Sequence, residues 1–339
     1  MTESSQFIRK RLVYLLQFLA VALLLPLTGC VTMTPASKEK PAINEAPPES
    51  SFTKLEITVP GSDRTYPTWR TKSYGKPILL LHPINGLNPD LLHFALELED
   101  WGYRVYMPSL YGDPILGKPA YGYDKGMATI KVIRKDGNWN PIATDTLGPV
   151  TDDVAYLARW VSRKEGRNIA VMGNSLTGSF PLAILDEPSV KVAVLAQPAT
   201  PVMKVPQIMM RIPQSEEMQR SLSMSESDWG KTVSALRRYP SKRIIGFHYS
   251  NDPIAPIAKF DELHDRLADA GLSSRFKAYV KSPADSDYAK ERSGWVVGSE
   301  TAEKRKMLTP HSTYIVPENF EDQEWFRRKL KSSLGQLWW

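Results

Sequence analysis

Along the chain, short continuous apolar runs alternate with stretches in which apolar residues recur at helical spacing. Pro77–Leu81 is an unbroken apolar run, which predicts a strand buried on both faces. Tyr103–Met107, Asn168–Met172, Val190–Leu195, Arg243–Tyr249 and Arg275–Lys281 are the further predicted strands. Leu55–Val59 and Thr65–Arg70 flank the turn signal Gly61-Ser62-Asp63 and predict a hairpin. Between the buried runs lie helical stripes. Asn88-Pro89 supplies an N-cap and a first-turn proline ahead of Leu91, Phe94, Ala95, Leu98 and Trp101. Val150, Val154, Leu157, Ala158 and Val161 form a second stripe, Ala258–Ala270 a third helix, and Trp325, Phe326, Leu330, Leu334 and Leu337 the last. Strands alternating with amphipathic helices predict an α/β fold, a mostly parallel sheet with helices on both faces. No internal repeat interrupts the pattern, and residues 53–339 fit one domain. Residues 109–149 and 198–241 lack a clear period and are expected to be irregular.

The N-terminus does not fit this pattern. Arg9-Lys10-Arg11 precedes an apolar run from Leu12 to Leu27, broken only by Gln17, and Leu27-Thr28-Gly29-Cys30 follows. The run is shorter than the ~20 residues a spanning helix needs. A basic start, an apolar middle and small residues before a cut point describe a secretory signal, with an uncleaved anchor as the alternative. Leu-Thr-Gly-Cys also resembles the bacterial lipobox. That resemblance implies cleavage before Cys30 and lipidation of Cys30. Val31 in the next position implies the outer membrane, facing the periplasm. The expected organisation is a signal at 1–29, a lipidated cysteine and flexible tether at 30–52, and the folded domain beyond. The tether is read from its Pro, Ser, Glu, Lys and Ala content.

Composition narrows the chemistry. A length of 339 residues with 42% apolar content is ample for a large core. The single cysteine excludes an internal disulfide and a multi-cysteine metal centre. A net charge of +6 is too diffuse to point to nucleic acid. No phosphate loop, metal-binding motif or nucleotide fingerprint is present, so neither a cofactor nor a metal is expected.

In open α/β sheets function sits beyond the carboxyl ends of the strands. After Asn168–Met172 comes Gly173-Asn174-Ser175-Leu176-Thr177-Gly178, a serine on a strand-to-helix turn. Such a turn exposes the hydroxyl, and the helix that follows aims its first amides at a developing oxyanion. The usual pattern places a glycine two residues after the serine. Here that residue is Thr177, with Gly178 one later, and Pro181 predicts a kink in the helix. A serine nucleophile needs a base, and the base an orienting carboxylate, in the chain order Ser, Asp or Glu, His. Asp252, after Arg243–Tyr249, occupies the place of the acid. Of His82, His93, His248, His264 and His311, only His311 follows the last predicted strand, which makes it the expected base. The oxyanion donors are expected to be the amides of Leu176 and of Ile84, with Asn85 as the alternative to Ile84. His82 reads as a structural loop residue. Tyr111, beyond the strand end near Ile84, is the expected substrate contact.

Four segments together resemble the dienelactone hydrolase family of α/β-hydrolases. They are His82–Leu87 with its helix, Pro108–Gly112, Gly173–Gly178 with Phe180–Ile184, and Ser250–Phe260; His311-Ser312 is similar to the family's histidine segment. The resemblance implies an α/β-hydrolase fold and hydrolysis of a small-molecule carboxylic ester or related acyl compound. The chain departs from it in using Ser175 where the best-known members use cysteine, and in carrying Pro83 where the family has a glutamate. With Cys30 committed to lipid, no thiol is left for catalysis. The expected partners are an ester substrate and, through the lipid, a membrane. A non-catalytic envelope protein using the cleft for binding, and an acyltransferase, are the two alternatives.

Overall fold

The computed structural model describes residues 46–84, 86–111, 137–202, 214–252, 254–283, 294–299 and 320–337. Nine strands form one sheet: β1 (Phe52–Val59), β2 (Arg64–Thr71), β3 (Lys76–Leu80), β4 (Tyr103–Pro108), β5 (Ile169–Asn174), β6 (Val190–Ala196), β7 (Arg243–Tyr249), β8 (Phe276–Ser282) and β9 (Trp295–Ser299). Their order is β1-β2-β4-β3-β5-β6-β7-β8-β9. The expected hairpin of β1 and β2 is antiparallel, β2 also pairs antiparallel with β4, and every pairing from β4 to β9 is parallel. The chain runs from β3 outward to β4 and then crosses back to β5 on the other side of β3. That reversal is the topological switch at which such sheets open a crevice.

Alternation along each strand divides the core in two. Ile78 and Leu80 of β3 and Ala170 and Met172 of β5 face α1 (Pro89–Asp100) and the C-terminal helix. Leu79 and Leu81 with Ile169 and Val171 face the opposite layer, which includes α2 (Val150–Glu165). All five apolar positions of the α2 stripe are buried. Asn88 caps α1 as its sequence position predicts, accepting from the Leu91 amide at 2.9 Å, with Pro89 in the first turn.

Several local expectations are corrected. The segment that follows the Gly-x-Ser turn is a 3-10 turn (Ser175–Thr177) and then a four-residue helix, α3 (Phe180–Ala183), rather than one helix. Pro181 sits in the first turn of α3, where its missing amide costs no internal hydrogen bond. The helix therefore restarts at the proline instead of bending through it. Residues 198–241 are not wholly irregular, because they contain α4 (Glu216–Arg220) and α5 (Glu226–Arg238). Ser215 and Ser225 cap these helices, and Trp229, Val233 and Leu236 give α5 a buried stripe. Strand β9 is short, lies at the edge of the sheet and is only partly covered, so it lacks the apolar run of the inner strands. The packed chain also begins earlier than residue 53. Ala46 lies against the core and Phe52 is buried within it. The remaining helices are α6 (Ala258–Asp269) and α7 (Phe320–Leu337). Among the described residues no helix is long and apolar enough to cross a membrane.

Candidate active site

Ser175 is the first residue beyond β5, and its φ is +53°. A side chain in the left-handed region costs roughly 1–2 kcal/mol. The turn is possible because two neighbours lack a Cβ. One added at Gly173 would lie 2.1 Å from the Thr177 carbonyl oxygen and 2.8 Å from Pro181 Cδ. One added at Gly178 would lie 2.5 Å from Pro198 Cα. The glycine displaced by one position from the usual pattern thus has its own task, close contact with the chain leaving β6.

Thr177, where that pattern has glycine, bolts the turn to the strand beside it. Its Oγ1 accepts from the Asn174 amide at 3.0 Å and donates to the His82 carbonyl at 3.0 Å. Asn174 Nδ2 donates to the Leu81 carbonyl at 3.1 Å. The Ser175 turn and the loop after β3 are therefore one hydrogen-bonded unit across the switch. Leu176 is buried in the 3-10 turn that Ser175 opens, and the first amides of a helical turn lack acceptors within it.

The loop after β3 is oriented by His82. The Nδ1–H of His82 donates to the Pro83 carbonyl at 2.8 Å, and its Nε2 accepts from the Leu110 amide at 3.0 Å. Burial pushes the imidazole down to about 4, so it is neutral near pH 7. The Pro83 carbonyl also accepts from Gly86 N at 3.0 Å. In a trans peptide the N–H points opposite to the C=O, so the Ile84 amide faces away from this anchored oxygen. Tyr111 donates its hydroxyl to the Ile84 carbonyl at 3.2 Å, and burial pushes that phenol above its ordinary value. The Tyr111 ring lies 4.5 Å from His82 and 5.9 Å from Trp139, and Trp139 lies 5.3 Å from Phe180. Tyr111 thus supports the Ile84 loop directly, a role its sequence position alone does not indicate.

Asp252 is buried just past the end of β7. Its Oδ1 accepts from Ile254 N at 2.8 Å and Ala255 N at 3.1 Å, and its Oδ2 accepts from Gln197 Nε2 at 2.6 Å. Each such bond to an ionised group contributes about 1.5–3 kcal/mol. Gln197 was not singled out by sequence reasoning. It follows β6, is buried, and has a φ of +44°. A polar residue directly after a buried strand was the one signal available for it.

The described histidines other than His82 lie on regular elements. His93 is on α1, His264 on α6, and His248 lies within β7 with Nδ1 donating to the Tyr249 carbonyl at 2.6 Å. His311, Cys30 and Asn85 fall outside the described residues. Lys259, on α6, is buried with Nζ donating to the carbonyls of Met218 and Ser221 at 3.2 and 3.0 Å, and burial pushes it down to about 7. It borders a small cavity with Ser179, Leu182, Leu195, Pro198 and Phe260. No cluster of three or more His, Cys, Asp or Glu able to hold a metal occurs among the described residues.

No protein-family model matches the chain, and no curated protein matches it. Solved structures do. A putative dienelactone hydrolase from Klebsiella pneumoniae subsp. pneumoniae superposes with a TM-score of 0.50 at 13% identity, over 84% of this chain and 99% of that one. A dienelactone hydrolase-like promiscuous phosphotriesterase from metagenomic libraries gives 0.52 at 10% identity, over 85% and 99%. At such identities the likeness is one of architecture. With its strand order, its switch between β3 and β5 and these neighbours, the chain has the α/β-hydrolase fold, as seen in dienelactone hydrolase-like proteins.

Proposed function

We propose that the chain is a serine hydrolase acting on a carboxylic ester or a related small acyl compound. One observation carries the reading. Ser175 is held in a strained left-handed turn at the end of β5, and that turn is hydrogen-bonded to the loop that presents Ile84. Strain at a buried turn persists where surrounding contacts enforce it, and it concentrates at functional sites. In the proposed cycle His311 takes the proton from Ser175 Oγ as the oxygen attacks the acyl carbon. The amides of Leu176 and Ile84 hold the oxyanion of the tetrahedral intermediate, and loss of one such donor costs about 3 kcal/mol of transition-state stabilisation. Collapse expels the alcohol, protonated by His311, and leaves an acyl-Ser175 ester. Water, deprotonated by His311, then releases the acid. Asp252 orients His311 and stabilises its imidazolium form. The neutral, doubly bonded His82 supports this division of labour, because it is committed to the loop and unsuited to act as a base. The cycle uses no cofactor.

The test is turnover of p-nitrophenyl esters and labelling by a fluorophosphonate probe. Wild type is expected to do both and S175A neither. Labelling without turnover favours acyl transfer to another acceptor. Failure of wild-type protein to react with either supports a binding protein on the same fold.

In the same reading Cys30 carries the lipid, and the domain is held at the cell envelope, on the outer membrane facing the periplasm. Incorporation of labelled palmitate into wild type but not C30A tests this assignment.

A further inference from the structure

We propose that Gln197 is a positioning residue for the catalytic acid, holding the Asp252 carboxylate and fixing its distance from the Ser175 turn. The proposal rests on the reading of Ser175 and Asp252 given above. Strand β6 lies between β5, which ends at the nucleophile, and β7, which ends at the acid. The three residues after β6 touch both neighbours. Gln197 N donates to the Phe247 carbonyl of β7 at 3.0 Å, and Gln197 Nε2 donates to Asp252 Oδ2 at 2.6 Å. Pro198 packs where Gly178 has no Cβ, and Ala199 N donates to the Ser175 carbonyl at 2.9 Å. The segment is thus a strap from the serine turn to the acid.

The backbone of Gln197 argues that its side-chain contact is enforced. A buried non-glycine residue at a φ of +44° persists only where its surroundings over-determine it. Here the backbone amide is fixed on one strand and the side-chain amide on a carboxylate. With Ile254 N and Ala255 N on Oδ1, the Gln197 donor on Oδ2 sets the plane of the carboxylate. That plane decides where a histidine bonded to the acid can sit. A donor on Oδ2 also draws charge from the carboxylate, which weakens its hold on a neighbouring imidazolium. Gln197 therefore acts on the geometry of the base and on its proton affinity, without touching substrate.

The experiment compares wild type, Q197M, Q197E and D252N in kcat, KM and the pH dependence of kcat/KM on a p-nitrophenyl ester. Methionine keeps the length of glutamine and removes the donor. Q197M is expected to lose roughly tenfold to hundredfold in kcat with KM little changed. Its acid limb is expected to move to higher pH, because the more basic carboxylate holds the imidazolium more tightly. In Q197E two carboxyls at this separation share a proton, so the contact survives at the acid end of the profile. Q197E is therefore expected to exceed Q197M most at low pH, with the advantage shrinking as pH rises. A Q197M enzyme with wild-type kcat and an unmoved acid limb overturns the proposal, as does a loss confined to KM. If Q197M does not fold, the pH-dependent behaviour of Q197E decides, and a profile parallel to wild type overturns the proposal. If D252N keeps wild-type kcat, the acid assignment itself fails. If D252N is inactive while Q197M is unimpaired, only the role of Gln197 fails.

Discussion

Acidification should weaken the protein through His82, by an amount that follows from its burial. The ring is fully enclosed, donates from Nδ1 to the Pro83 carbonyl and accepts at Nε2 from the Leu110 amide. Protonation turns that acceptor into a second donor facing an N–H. The folded protein therefore holds the imidazole neutral down to about 4, against an ordinary value of 6.5. Between those two values the unfolded chain binds the extra proton and the folded one does not. Stability thus falls as pH falls from about 6.5, and the loss is complete below the folded value. Between pH 7 and pH 5 the linkage relation gives a loss of about 2 kcal/mol from this one group. The measurement is the free energy of urea unfolding at both pH values for wild type and H82N. Asparagine can keep a donor and an acceptor but has no proton to gain. H82N is expected to be less stable at pH 7, because its amide is shorter than the imidazole. It should also lose about 2 kcal/mol less than wild type between pH 7 and pH 5. The other four histidines are common to both proteins and cancel in the comparison. Equal losses in the two proteins would refute the assignment of a buried, neutral His82.

Two further predictions concern the surroundings of the serine turn. G178A places a methyl group 2.5 Å from Pro198 Cα, an overpacking that should cost about 1–3 kcal/mol in urea unfolding. Because Ala199 N holds the Ser175 carbonyl from the same segment, fluorophosphonate labelling of folded G178A should slow as well; unchanged stability would show that the segment yields easily. Lys259, pushed down to about 7 from 10.5, gives the unfolded chain the higher proton count above pH 7. Wild-type stability should then rise relative to K259M by about 1.4 kcal/mol per pH unit between pH 8 and pH 9, and a constant offset would contradict the buried position.

Legibility in the sequence followed the strength of the local signal. The inner strands were readable because burial on both faces makes them continuous apolar runs, as in Pro77–Leu81 and Asn168–Met172. Strand β9 was not, since Trp295–Ser299 is short, lies at the sheet edge and is only partly buried. Helix α5 carried a serine cap and a regular stripe, but it sat in a stretch whose methionines and prolines spoke more loudly. The places of Ser175, directly after β5, and of Asp252, three residues past the end of β7, were legible because the strands before them were. The assignment of His82 to structure could be reached by elimination. Its two bonds could not, because Leu110 lies 28 residues away in sequence. Gln197 and Thr177 were missed for the same reason. Their partners, Asp252 and the His82 carbonyl, are 55 and 95 residues distant, and nothing in a linear pattern marks such pairs.

These long-range bonds explain how the fold tolerates strain in two places at once. Ser175 and Gln197 both adopt left-handed backbone at the carboxyl ends of adjacent strands, β5 and β6. Each costs roughly 1–2 kcal/mol, and neither is a glycine that would relieve it. Each is offset by contacts its own conformation creates. The Ser175 carbonyl accepts from Gly178 N and Ala199 N, both at 2.9 Å. Gln197 N reaches Phe247 and its side chain reaches Asp252. The two offsets share the segment from Gln197 to Ala199, so they are not independent. Loosening either end frees the other, which couples Ser175 and Asp252 mechanically although they follow strands separated by β6. A third side chain, Thr177, ties the same turn to the loop bearing Ile84. Ser175, Asp252 and the loop bearing Ile84 are thereby held by bonds between strand ends rather than by the helix after the serine, which here is only a 3-10 turn and four further residues. In this chain, preorganisation of the site belongs to the sheet.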